Sequence, residues 1–98
     1  MHDPYDTERR ALEDAALRGP GETQAKVREA IARGEEVPDD LRELVDKIER
    51  HAYRVTDEDI AALKQRYTED EIFEFVIAAS LGASQRRLDA GLRALEEA

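Results

Sequence analysis

The sequence predicts an all-α fold of about five helices, and three observations carry that prediction. Apolar residues recur at i, i+3 and i+4 along most of the chain. Gly and Pro are absent from residues 39 to 81, so no breaker interrupts the pattern there. No period-two alternation and no Asn-Gly or Asp-Gly turn marks a strand or hairpin.

The elements follow in order. Residues 7–18, TERRALEDAALR, have Leu12 and Leu17 as their only large apolar groups, and Gly-Pro-Gly at 19–21 stops them. Residues 23–33, TQAKVREAIAR, place Val27 and Ile31 at i,i+4, with Thr23 as a candidate cap and Gly34 as a stop. Helices this short draw most of their stability from packing, and two anchors apiece are few. The expectation is a weakly anchored helical arm over 1–37 and a helical core over 38–98. From Pro38, Leu41, Leu44, Val45, Ile48, Ala52 and Val55 form one stripe, with Asp39 or Asp40 as the expected cap.

The chain then states one motif twice. Thr56-Asp57-Glu58-Asp59-Ile60 returns as Thr68-Glu69-Asp70-Glu71-Ile72. Thr68-x-x-Glu71 matches the capping box, in which hydroxyl and carboxylate each bond the other's backbone N–H; Thr56-x-x-Asp59 is the version with a shorter acid. The acids that follow each Thr favour the positive end of the helix. A calcium loop does not fit, because its third ligand position is Ala61 and no Gly stands at the sixth. Two successive helix starts are the reading.

In the last helix Ile72, Val76, Ala79 and Ala83 share one direction, while Phe73, Ile77 and Leu81 point elsewhere. Its first half is therefore expected to be enclosed nearly all round. Beyond Ser84 a single row continues, through Leu88, Leu92 and Leu95. Phe73, Ile77, Leu81, Leu88, Leu92 and Leu95 form the expected interface. Ala78, Ala79, Gly82 and Ala83 leave room for another backbone to come close.

Charge bounds the partners. Twenty-four acids against fifteen bases give −9 over 98 residues, spread evenly along the chain. Such a surface repels phosphate backbones and anionic lipid, so neither nucleic acid nor membrane is an expected partner. With no Cys there is no disulfide, thiolate metal site or cysteine nucleophile. The amino-terminal MHDPYDTERR lacks the apolar stretch of a signal peptide, and a cytoplasmic protein is expected.

The segment HAYRVTDEDIAALKQRYTEDEIFEFVIAASLGASQRRLDAGLRAL resembles the C-terminal part of the carboxymuconolactone decarboxylase/AhpD-like superfamily. The resemblance rests on Val55-Thr56, Asp59-Ile60, Leu63, Thr68, Glu71-Ile72 and Arg87-Leu88, and covers Leu41 to Leu95. It implies a helical fold that assembles into oligomers. Peroxidase-type members act through a Cys-x-x-Cys pair, which this chain lacks, so that chemistry cannot run on it.

Three side chains are candidates for chemistry. His51 is a candidate general base, or a helix-end histidine favoured by the dipole. Glu74 lies within an apolar stripe, where a carboxyl can serve as acid or base, or at the rim of the core. Arg87 suits an anionic ligand or a carboxylate partner, whereas Arg86 and Arg93 are expected on a solvated face. Two histidines, His2 and His51, give no metal spacing, and Ser80 and Ser84 have no His at helical spacing. Neither a metal nor a cofactor is expected. The leading expectation is a non-redox helical protein that acts as a homo-oligomer or as a small subunit of a larger partner. A small-molecule decarboxylase- or hydrolase-like enzyme with a site shared between subunits is the alternative. An adaptor module gripping its partner with the 1–37 arm is the third.

Overall fold

The computed structural model describes residues 6–97, and His2 lies outside them. Helices α1 (Asp6–Arg18), α2 (Ala25–Arg33), α3 (Arg42–His51), α4 (Asp57–Leu63) and α5 (Glu69–Glu97) account for its regular structure, with short 3-10 turns at Asp39–Leu41 and Ala52–Arg54. No strand occurs among the described residues.

Both doubled Thr segments begin helices. Thr56 Oγ1 accepts from the N–H of Asp59 at 3.2 Å, and Asp59 Oδ2 accepts from the N–H of Thr56 at 2.9 Å. Thr68 and Glu71 repeat the exchange at 3.1 and 2.9 Å. Each box satisfies donors that a helix start leaves open, worth roughly 0.5–2 kcal/mol. Asp59 also receives Lys47 Nζ at 2.8 Å, which ties α4 to α3.

Two other expected caps are not used. No side chain caps α2, whose N-cap is Gln24, and the Thr23 hydroxyl turns to Glu74 instead. Neither Asp39 nor Asp40 caps α3, which starts from Leu41 after a 3-10 turn. Asp40 accepts the phenol of Tyr67 at 2.8–2.9 Å, and Tyr67 stands edge-on to Phe75 at 5.1 Å.

The core joins Ile31, Leu41, Leu44, Val45, Ile48, Leu63, Ile72, Phe75, Ala78 and Ala79. Ile31 has no exposed surface, and Ala30 and Ala32 are buried beside it. Helix α2, expected in a loose arm, is thus part of the centre, and its small residues are the reason. Gly82 of α5 has no β-carbon, and the Ala32 carbonyl fills the space one would take. Helix axes that approach this closely bury α2 without large side chains. α1 is the lightly held element: it has no buried residue, and Leu12 is exposed.

α5 is about 43 Å long at 1.5 Å per residue, close to the 47 Å longest dimension of the molecule. Its buried residues are Ile72, Phe75, Ala78, Ala79, Gly82 and Ala83. From Ser84 to Glu97 nothing on it is buried; Arg86 and Arg87 still reach α2 and α3, and the last turns, from Arg93 on, are exposed and overhang the core.

Candidate functional site: the outer face of the long helix

The three sequence candidates for chemistry do not meet within one chain. His51 ends α3 in solvent, its ring edge-on to the exposed Tyr53 at 5.7 Å. Glu74 holds the loop after α1: its carboxylate accepts the N–H of Glu22 at 2.9 Å and the N–H and hydroxyl of Thr23 at 3.4 and 3.3 Å. Arg87 donates to the backbone carbonyl of Glu49 at 2.7 Å. Glu74 and Arg87 stand thirteen residues apart on one helix, about 20 Å along its axis.

The arginine pairing differs from the expectation by one position. Arg86, expected on a wet face, donates through Nε to Glu49 Oε1 at 2.9 Å and through Nη2 to Glu49 Oε2. Its Nη1 reaches the Ala32 carbonyl at 2.7 Å. The Arg86 hydrogen bonds hold the Glu49 carboxyl below its ordinary range, and raise Arg86 in turn. The clasped pair lines a cleft of about 460 Å3, together with Arg33, Arg42 and Arg50. Glu36 and Asp46 stand on the same walls, so the cleft is charged but nearly balanced. Asp57 and Asp59, the pair that imitates a calcium loop, sit in the first turn of α4, with Asp59 engaged by Lys47 and Thr56. Among the described residues no three His, Cys, Asp or Glu side chains gather as a metal site, and no helix is long and apolar enough to cross a membrane.

Arg28 is a residue the sequence does not single out. Only 3% exposed, it donates to the carbonyls of Ala16 at 2.8 Å and Gly19 at 2.5 Å, and approaches Glu74 to 4.0 Å. It serves the carbonyls that α1 leaves open at its end. Its hydrogen-bond partners are backbone carbonyls, which leave no mark in a side-chain pattern.

Among the described residues, an uncharged row with exposed apolar ends runs along α5 on the side away from the core. Phe73, Ile77, Ser80, Ser84, Leu88, Gly91 and Leu95 fall within a sector of roughly 80°, opposite the buried residues of the same helix. None of the seven is charged, in a chain where 40% of residues are. Phe73 is 65% exposed and Leu95 62%, so the first half of α5 is not enclosed on this side as expected. Ile77 and Leu88 are half-buried. Of the other expected interface residues, Leu81 turns toward α1, lining a cleft with Leu17, and Leu92 is half-buried. Beside Phe73 a groove of about 400 Å3 runs between α4 and α5, lined by Ile60, Lys64, Glu69, Ile72, Phe73 and Val76. Ser80, Ser84 and Gly91 are the members of this surface that a search for large apolar groups passes over. Their signal is that every helical return of the row, large or small, is uncharged. No family model, curated protein or solved structure matches the chain.

Proposed function

We propose that this chain is a non-redox, AhpD-like helical protein that works by associating with copies of itself through the outer face of α5. The observation that carries the proposal is the exposure of Phe73 and Leu95 at the two ends of an uncharged stripe. Apolar surface in water is unfavourable by roughly 25 cal/mol per Å2, and covering it is the simplest use of such a face. The overhanging last turns add support, since exposed helix ends gain stability when something packs on them. His51, Glu74 and Arg87 favour association over catalysis, as Glu74 stands about 20 Å from Arg87 along α5 and both are structural ties. The AhpD-like pattern of two capped helix starts, with no Cys, fits a scaffold without dithiol chemistry.

Sedimentation from about 1 μM to about 1 mM, the range of weak to moderate complexes, tests the proposal. Mass should rise toward that of two or more chains, and a Phe73→Ser, Leu95→Ser variant should remain a single chain. A natural chain that stays monomeric, or a double variant that associates as well as the natural chain, overturns it.

A further inference from the structure

We infer that two chains pair antiparallel along α5 with Ser84 on the two-fold axis, an inference that rests on the association reading above and adds its geometry. The spacing of the stripe is the same from either end. Its positions 73, 77, 80, 84, 88, 91 and 95 are separated by four, three, four, four, three and four residues. Phe73 and Leu95 lie eleven residues either side of Ser84, Ile77 and Gly91 seven, Ser80 and Leu88 four. A two-fold axis through Ser84 therefore lays the row on itself, as an isologous interface requires.

The pairs that meet are matched in size. Ile77 faces Gly91 of the other chain, and Leu88 faces Ser80, so a large side chain meets a small one at each of these levels. Phe73 and Leu95, the two exposed large residues on α5, cover each other. A parallel pairing would instead stack Ile77 on Ile77 and leave Gly91 opposite Gly91. The row averages about 3.7 residues per step, near the natural helical period, so two straight helices stay in register along it.

The ends fit as well. Leu95 of one chain arrives beside the groove of Ile60, Ile72, Phe73 and Val76 on the other, an apolar space of about 400 Å3. The second half of each α5 then runs along the core half of its partner, and both become covered. The strip is about 33 Å long and about 10–12 Å wide. That is narrow beside the roughly 800 Å2 per partner of a standard interface, so the dimer is reversible and depends on concentration.

Single thiols read the register directly, because the natural chain has no Cys to compete. Ser84 is exposed, so Ser84→Cys leaves the core untouched. Under mild oxidation Ser84→Cys should form a covalent dimer at least about tenfold faster than Phe73→Cys alone or Leu95→Cys alone, since only the first brings two α-carbons within disulfide reach. An equimolar mixture of Phe73→Cys and Leu95→Cys should yield the mixed dimer in excess of either homodimer. Dimers from Phe73→Cys alone and Leu95→Cys alone at the rate of Ser84→Cys would mean parallel helices. They would overturn this inference and leave association standing. A natural chain that sediments as a dimer while Ser84→Cys fails to cross-link overturns it in the same way. A natural chain that never leaves the monomer overturns both.

Discussion

The carbonyl of Ala32 lies over Gly82 so closely that no β-carbon fits between α2 and α5. On helix propensity alone, Gly82→Ala should stabilise by about 1 kcal/mol. The collision is with backbone, which cannot swing aside as a flexible side chain can. We therefore expect a net loss of about 2–4 kcal/mol, read as a lower urea midpoint.

Gly91 provides the opposite case on the same helix. Nothing lies within 4 Å of a β-carbon built there. Gly91→Ala should raise the stability of the single chain by about 0.5–1 kcal/mol, because the glycine carries only an entropic cost in mid-helix. Thermal unfolding in dilute solution measures it.

Arg28 should be among the most sensitive charged positions. Its removal strands the carbonyls of Ala16 and Gly19 and leaves Glu74 without its nearest cation. Arg28→Ala should destabilise by about 3–5 kcal/mol, the range for breaking a buried charge contact from one side. Arg28→Lys should recover only part, as one ammonium cannot reproduce the guanidinium's spread of donors. Arg86→Ala should cost less, about 1–2 kcal/mol, since that clasp is partly wet.

Alkali should loosen the packing of α5 on the α3 side. Burial, and then the hydrogen bond to Asp40, push the Tyr67 phenol from 10.0 up to about 12. The folded pKa exceeds the unfolded one, so this contribution is complete below pH 10 and fades as pH climbs from 10 to about 12. In Tyr67→Phe that part of the loss should vanish from the stability profile, along with the phenol's hydrogen bond to Asp40. Difference absorbance of the phenolate locates the titration.

Acid should act through other groups. Hydrogen bonds from Arg86 lower Glu49, and those from Lys47 and then Thr56 lower Asp59. With folded values depressed, their support is present above the ordinary carboxylate range and disappears as pH falls through the depressed values. Denaturant midpoints from pH 6 downward should fall, and Glu49→Gln should flatten part of that fall.

The features legible in the sequence are the local ones. Thr56 with Asp59, and Thr68 with Glu71, declare helix starts because both partners of each box lie within four residues. Asp40 looks like a cap by the same logic, yet its partner is Tyr67, twenty-seven residues on, a distance no local pattern spans. α2 reads as weakly anchored because anchors are counted as large side chains, whereas Ala30, Ala32 and Gly82 work by their smallness. The outer row of α5 is visible as leucines, but its exposure depends on which side the core takes. That choice is made by α2, and periodicity on α5 alone does not reveal it.

One uninterrupted rod carries both the buried row and the bare row, so their angular phase is locked. Inserting a single alanine after Ser84 would leave Ile72 to Ala83 seated while swinging Leu88 and Leu95 about 100° around the axis. One residue added to or dropped from this rod beyond Ala83 therefore splits the bare row into two misaligned segments.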